Sequence, residues 1–312
     1  MRPDISVIIA AYNVEHYIAR AIESAVTQDG VAVEVLVIND GSTDNTAAVV
    51  TQHNNPHVRL FGHTANRGPG AARNVGLAMA AAPWVAVLDG DDVFAPGRLA
   101  RCLARAKAQE ADVVVDNLKT RHEEDGHTAP MFPPDYFARM ETLDLKTFID
   151  GNRSFLGGPA LGYLKPIFST KFLREHKLRY DTELRIGEDY LLLAEALACG
   201  AKCVVDPEAG YIYTVRAGST SHRLALADVE RIRRGDEIFL NRYELGRETA
   251  RAQKRRTAAL NDAFAFTNIV NALKGRDIGR GVKSALTRPA SLRHLWRPLS
   301  ARMKKVSGRP RN

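Results

Sequence analysis

Asp89, Asp91 and Asp92 stand within four residues of one another, directly after the apolar run Trp84-Val-Ala-Val-Leu88. An apolar run that stops at Asp-Gly reads as a buried parallel strand ending in a tight turn. Open α/β sheets place their ligands at such strand ends, and three acids there repel one another unless a cation or the donors of a polar ligand compensate them. A divalent metal carrying a diphosphate suits the cluster, because oxygen ligands favour Mg²⁺ or Mn²⁺, which bridge phosphates to one or two carboxylates. The plainer alternative is a capped turn, with Asp92 capping the helix that begins near Pro96.

The elements that must position this cluster are read from the chain in order. Ile5-Ser-Val-Ile-Ile-Ala-Ala11 is a strand with Tyr12-Asn13 at its carboxyl end. Val14, Ile18, Ala21, Ile22 and Ala25 then give a helical period. Glu34 to Asn39 is a second strand, running into Asp40-Gly-Ser-Thr-Asp44, and Val58 to Phe61 a third. Asn66-Arg-Gly-Pro-Gly70 opens a helix whose first turn holds Arg73. The acidic strand, a helix from Pro96 to about Gln109 and a strand from Asp112 to Asp116 complete a doubly wound, mostly parallel α/β sheet. Its strand ends gather Tyr12 and Asn13, Asp40, and Asp89 to Asp92 along one crevice. For a nucleotide lying there, Asp40 could accept from a base N–H or a ribose hydroxyl, and Arg73 could donate to a base carbonyl or a phosphate. Each has a structural alternative, a cap for Asp40 and a solvated helix arginine for Arg73.

From Asn117 to Pro134 the sequence is polar and without clear period, which reads as a long connection into a second, less regular half. Asp144 to Ile149 and Lys171 to His176 are expected to be short helices, and Gly157 to Pro166, rich in Gly and Pro yet apolar, a pocket wall. Arg185-Ile-Gly-Glu-Asp189 opens a helix stopped by Gly200. A carboxylate at a helix N-terminus is favoured in its ionised form, so Asp189 could act as a general base; capping by Glu188 and Asp189 is the alternative. Lys202 to Asp206 and Tyr211 to Arg216 read as two strands. They lead to a polar loop whose His222 is a metal ligand, a diphosphate donor or ordinary surface. Leu226 to Lys274, charged and Ala-rich, should be helical.

Bulk properties narrow the class. An apolar content of 45% argues against disorder, and no stretch is long and apolar enough to cross a bilayer. Met-Arg-Pro-Asp followed at once by a strand is no signal peptide, so a cytoplasmic location is expected. Cys102, Cys199 and Cys203 read as small core residues rather than a disulfide framework or metal site. Residues 251–312 hold sixteen Lys or Arg and two acids, a net +14 against +8 for the whole chain, so the body is acidic and its end basic. From Ser291, Leu292, Leu295, Trp296, Leu299 and Met303 follow a helical period among basic residues, the pattern of an interfacial helix on anionic lipid, interrupted by Pro298. A solvated basic tail is the alternative, and without a recognition motif any nucleic-acid binding would be nonspecific.

Five signatures resemble the family-two glycosyltransferases of GT-A fold in order and approximate spacing. They are Ser6 to Asn13, Val37 to Asp44, Asn66 to Asn74, Leu88 to Asp92 and Gly187-Glu-Asp189. The resemblance spans about residues 4–223. It implies inverting transfer from a nucleoside-diphosphate sugar, usually a UDP sugar, with Mg²⁺ or Mn²⁺ on the diphosphate. Carried over by position, Asp40 binds the uracil end with Arg73 assisting there, Asp89 lies by the ribose, Asp91 ligates the metal and Asp189 is the base; Ala11, Tyr12, Asn13 and Gly90 join the nucleotide-sugar site, and His222, on its own loop, is a further metal candidate. Residues 1–117 would bind the nucleotide sugar, 118–224 the acceptor, and 225–312 would be a helical, basic extension.

Gly157 to Thr170, Arg179 to Leu193 and Thr214 to Arg223 are similar to bacterial exopolysaccharide glycosyltransferases of the succinoglycan type. That implies transfer of glucose or a related hexose to an oligosaccharide on a polyprenyl diphosphate, at the inner face of the cytoplasmic membrane. The Gln-x-x-Arg-Trp motif of processive members is missing, which implies one addition per encounter. A rival enzyme class is also consistent with the acidic cluster. Asp89-Gly-Asp91-Asp92-Val93-Phe94 fits the nucleophile pattern of haloacid-dehalogenase-type phosphatases, although three strands precede it here and that pattern normally ends the first strand.

Overall fold

The computed structural model describes residues 2–153, 159–216, 226–275 and 277–295. Four strands form the parallel half of the sheet: β1 (Ile5–Ala11), β2 (Val33–Asp40), β3 (Val58–His63) and β4 (Trp84–Asp89). They lie in the order β3-β2-β1-β4, every pair parallel. The central strands have no exposed face, and Ile5, Val7, Ile8, Ile9, Val35, Leu36, Val37 and Ile38 are fully buried, as continuous apolar runs require. Helices α1 (Ile18–Val26), α2 (Thr46–Gln52) and α3 (Pro69–Met79) make the crossovers. The face of α1 read from the sequence, Ile18, Ala21, Ile22 and Ala25, is the face it buries.

Beyond β4 the topology changes. The two-residue β5 (Val93–Phe94) follows the acidic turn, then α4 (Arg98–Ala108) and β6 (Val113–His122). Strand β8 (Ile167–Ser169) enters antiparallel between β4 and β6, and β9 (Cys203–Val215) runs parallel to β6 on its other side. The second half therefore completes the same nine-stranded sheet.

Three expectations need correction. The polar stretch after Asn117 is not a free connection: β6 continues to His122 and turns back as β7 (Thr128–Pro130), pairing Thr120 with Ala129. Its outer residues are exposed, so no apolar alternation marks a strand whose hydrogen bonds go to β7 and β9. The two strands expected between Lys202 and Arg216 are one, with the register slipping from Asp116↔Asp206 to Asn117↔Ala209 and Leu118↔Tyr211. Pro207 cannot donate to the ladder, so the chain bulges there and resumes pairing. Finally, the helical segment after Leu226 is two helices, α9 (Leu226–Arg242) and α10 (Arg247–Lys274), the second beginning after Gly246.

The remaining helices are α5 (Pro134–Ala138), α6 (Leu145–Asp150), α7 (Thr170–Glu175), α8 (Glu188–Ala198) and α11 (Ile278–Thr287). Asp144 and Ser169 cap α6 and α7, accepting from Thr147 N–H at 2.6 Å and Phe172 N–H at 3.3 Å. The C-terminal helices are fastened to the sheet domain. Arg256 of α10 is buried, pairs with Asp236 of α9 at 3.0 Å and donates to the Asn152 carbonyl at 2.5 Å. Its guanidinium lies 3.7 Å from the Tyr190 ring centre, and Arg255 bonds both oxygens of Asp150 at 3.0 and 2.6 Å. Tyr190 is on α8, so the basic extension braces the helix that carries Asp189.

Candidate active site

At the ends of β1 and β2 the backbone is locked by short polar side chains. Asn13 adopts φ +53° and accepts at Oδ1 from Thr43 N–H at 2.9 Å, while its own N–H donates to Ser42 Oγ at 3.1 Å. Asn is among the few residues that tolerate that conformation. Ala11 is buried and Tyr12 stands 46% exposed, a ring presented to solvent at the strand end. Asp40 is buried and gathers the loop ahead of α3, accepting from Arg67 N–H at 3.0 Å and Gly68 N–H at 2.8 Å, with His63 Nδ1 2.6 Å away. Gly41 turns at φ +71°, and a Cβ there would sit 2.6 Å from the Ala65 carbonyl carbon, so that loop can close only over glycine.

Asp89, at the end of β4, joins a charge cluster assembled from distant parts of the sequence. Arg73, buried one turn into α3, donates through Nη2 to Asp89 Oδ1 at 2.6 Å, and through Nη1 to Glu188 Oε1 at 2.7 Å and Asp189 Oδ1 at 2.8 Å. Lys165 Nζ donates to Asp89 Oδ2 at 2.7 Å and Asp189 Oδ2 at 2.8 Å. Burial alone would raise the Asp89 carboxyl; Lys165 and Arg73 overcome it and hold that carboxyl well below the usual range. Burial would likewise lower the Lys165 ammonium, but Asp189 and Asp89 carry it well above the ordinary lysine value. Glu188 is pushed up by burial and by the Asp189 charge, with Arg73 opposing.

Asp189 reaches the cluster because Gly187, at φ +85°, turns the chain into α8, leaving Glu188 and Asp189 in its first turn.

The other two acids of the turn have separate neighbours. Asp92 is 1% exposed, accepts from the Tyr211 hydroxyl at 2.7 Å and from Thr214 N–H at 2.7 Å, and so ties the turn to β9. The Tyr211 oxygen in turn accepts from Asp89 N–H at 3.1 Å. Asp92 is therefore not the cap of α4, whose first-turn Leu99 N–H donates instead to Gln28 Oε1 at 3.0 Å. Asp91 has one charged partner among the described residues, Arg216, at 2.8 Å, and this pair is partly exposed. Burial and the Asp89 charge raise its carboxyl, with Arg216 opposing.

Among the described residues no three His, Cys, Asp or Glu side chains converge as a closed metal cage. The donor set suits a different arrangement. Among the described residues Asp89, Asp91, Glu188 and Asp189 pair with Arg73, Lys165 and Arg216, Asp92 stands beside them, and Arg20 donates to the Asp91 carbonyl at 3.4 Å. An accessible carboxylate in such a cluster fits a hard divalent ion that takes its remaining ligands from phosphate and water. His222 lies outside the described residues.

The structure thus brings Asp89, Arg73 and Asp189 into mutual contact, with Gly90 and Asp91 in the turn beside them, and leaves Tyr12, Asn13 and Asp40 on the neighbouring strand ends. Both Nη atoms of Arg73 go to carboxylates, those of Asp89, Glu188 and Asp189. Lys165, Tyr211 and Arg216 were not legible as site residues. The one available signal was a lysine inside the apolar stretch Leu161-Gly-Tyr-Leu-Lys-Pro166. A phosphatase nucleophile needs a free carboxylate oxygen, whereas both oxygens of Asp89 are ion-paired and its strand lies fourth in the chain.

A mostly parallel sheet with an acidic turn at the end of its fourth strand, and a carboxylate at a helix N-terminus facing it, is the architecture of GT-A glycosyltransferases. S. aureus TarS residues 1–349, solved with UDP-GlcNAc, superimposes with a TM-score of 0.67 at 21% identity, covering 92% of each chain. The mannosyltransferase PcManGT from Pyrobaculum calidifontis, solved with GDP-Man and Mn²⁺, gives 0.63 at 15% identity, covering 97% of this chain and 81% of that one. Residues 6–170 match the model of Glycosyl transferase family 2. Succinoglycan biosynthesis protein ExoO of Rhizobium meliloti is 45% identical over 307 residues, 98% of this chain and 88% of that one. ExoU from the same organism is 35% identical over 293 residues, 93% and 84% of the two chains. The protein belongs to glycosyltransferase family 2 and is a glycosyltransferase; the relatives lend no support to the phosphatase or nucleic-acid-binding alternatives.

Proposed function

We propose that this enzyme transfers glucose or a related hexose from a UDP sugar, with inversion, to a hydroxyl of a polyprenyl-diphosphate-linked oligosaccharide during exopolysaccharide assembly. The observation that carries the reading is the Asp189 carboxylate, held by two cations opposite the donor-side carboxylate Asp89. A base fixed across from the leaving group permits one displacement and hence inversion. In this reading Ala11, Tyr12, Asn13 and Asp40 receive the nucleoside, and Asp89 and Gly90 border the ribose. Arg73 keeps Asp89 and Asp189 in register, and Asp189 takes the proton of the attacking hydroxyl.

Asp91 would hold Mg²⁺ or Mn²⁺ together with the diphosphate, and the bound ion supplies positive charge against the charge developing on departing UDP. Arg216 lies close enough to Asp91 to follow it to the diphosphate. The names of the relatives support the polysaccharide class, and the UDP-GlcNAc complex of TarS supports a UDP sugar. Residues 1–117 act as the donor half, 118–224 as the acceptor half and 225–312 as a basic extension.

The lipid-linked acceptor gives that extension a purpose. No described helix is long and apolar enough to cross a membrane. Helix α11 nevertheless exposes Val282 (51%) and Leu286 (76%), and the chain beyond it is strongly basic. Apolar side chains beside basic ones suit an anionic membrane surface at the cytoplasmic face. The amphipathic stretch from Trp296 onward lies outside the described residues.

Radiolabelled UDP-glucose, incubated with the enzyme, Mn²⁺ and the polyprenyl-lipid fraction of an exopolysaccharide-producing bacterium, tests the proposal. Label is expected to move into an organic-extractable, acid-labile product. Label that stays in the nucleotide pool, while another UDP sugar is consumed, would change the donor; label that reaches no acceptor from any UDP sugar would sink the reading. Removal of residues 296–312 is expected to abolish binding to anionic liposomes and to spare transfer to a soluble acceptor analogue. Undiminished liposome binding would contradict the membrane assignment.

A further inference from the structure

Lys165, the second of the two cations that hold Asp189, is tightly constrained on every side. Its side chain is 7% exposed and lies in an apolar stretch, where an ammonium group persists only beside carboxylates. Nζ reaches Asp89 Oδ2 at 2.7 Å and Asp189 Oδ2 at 2.8 Å, while Arg73 spans the opposite oxygens of the same two carboxylates at 2.6 and 2.8 Å. Two carboxylates and two cations close a ring. Each acid gives one oxygen to each cation.

The backbone of Lys165 is anchored as firmly as its side chain. Pro166 keeps the preceding residue out of the helical region. The Lys165 carbonyl accepts from Arg98 Nη2 at 2.7 Å. Arg98 is fully buried, bonds Asp116 through Nε and Nη2 at 2.8 and 2.7 Å, and lies over the rings of Phe94 and Tyr211 at 4.6 and 5.3 Å. Two residues on, Ile167 pairs with Ala86 of β4 and Val114 of β6. Lys165 therefore belongs to the sheet that carries Asp89, whereas Asp189 arrives on α8.

We infer that Lys165 is a positioning residue for glycosyl transfer, closing a ring that sets the base on α8 at a fixed place relative to the donor-side carboxylate on β4. The inference rests on the proposed roles of Asp189 and Asp89. Two tethers fix both the position and the plane of the Asp189 carboxylate and leave lone pairs on its oxygens for an acceptor hydroxyl. One tether leaves it free to turn about the Cβ–Cγ bond. The compact ammonium suits this place, because Arg73 already supplies the planar fork on the other side.

Lys165→Met keeps the apolar stem and deletes the charge. Turnover of UDP-glucose is expected to fall roughly a hundredfold, the cost of about 1 Å of misplacement, with the Kd of UDP in Mn²⁺ changed less than about threefold. Lys165→Arg is expected to restore part of the turnover. Thermal unfolding tests the ring without catalysis: Asp189→Asn should shift Tm less unfavourably in the Lys165→Met background than in the wild type, by roughly 2–4 °C. Equal Tm shifts in the two backgrounds, or turnover of Lys165→Met within about twofold of wild type, overturn the inference. A matching loss of UDP affinity and turnover overturns it as well, making Lys165 a donor-binding residue. Wild-type enzyme that binds neither UDP nor UDP-glucose would remove the proposed function instead, and the Tm comparison would still decide the ring.

Discussion

Asp89 and Asp91 stand two residues apart in one turn and live in opposite circumstances. Asp89 is gripped by Arg73 and Lys165, cations that are 3% and 7% exposed and come from the core of the fold. Among the described residues the Asp91 carboxylate pairs with Arg216, whose side chain is 31% exposed. The two carboxylates are about equally exposed, at 24% and 22%, so the difference lies in their partners: Asp89 cannot release Arg73 and Lys165 without leaving uncompensated buried charge. The partner of the second is the more exposed Arg216, which can turn into solvent, so a ligand can replace it at smaller cost. The same short sequence thus supplies one fixed point of the scaffold and one carboxylate with an exchangeable partner. The proposed function uses both, holding a base still while nucleotide and metal come and go.

The largest expected effect lies on the fixed side. Asp189→Asn should lower turnover on the order of a hundredfold to ten-thousandfold and leave UDP affinity in Mn²⁺ unchanged, since a positioned base acts on the reacting hydroxyl alone. Steady-state kinetics beside calorimetry check this, and near-wild-type turnover would remove Asp189 as the base. Next comes the exchangeable side. Asp91→Ala should weaken Mn²⁺-dependent UDP binding by at least roughly 10–100-fold, the scale already seen when outer-shell partners of a metal are lost. An unchanged metal dependence would move the ligand role elsewhere.

The smallest effect separates the two carboxylates most finely. Arg216→Met should raise Mn²⁺ affinity without nucleotide by no more than about fivefold, because a partly exposed pair is worth so little. Paramagnetic resonance of free Mn²⁺ reads this directly. A fall in affinity would mean that Arg216 supports the metal position rather than filling it.

The sequence made the nucleotide half legible for a physical reason. Its candidate residues, Asn13, Asp40 and Asp89, stand at or just beyond the ends of strands whose apolar runs are continuous, and a parallel sheet carries such ends to one edge. Asp189 was legible because Gly187 and Gly200 mark the ends of its helix. Lys165 and Arg98 were not. Their meaning comes from partners such as Asp89 and Asp116, which only the folded topology brings near, and no local period announces a buried ion pair. The hairpin of β6 and β7 escaped for the complementary reason, that its exposed residues show no alternation. The basic extension read as a separate feature because charge composition dominates it, while its attachment rests on single buried residues such as Arg256.

Calorimetry of UDP against the wild type and Asp91→Ala, each with Mn²⁺ and with chelator, tests the central claim most directly. The account predicts that the wild type binds UDP far more tightly with Mn²⁺ than without, in preference to GDP and CDP, and that Asp91→Ala erases the difference made by the metal. Wild-type enzyme that binds UDP equally well in chelator, or binds no nucleotide under either condition, would contradict it.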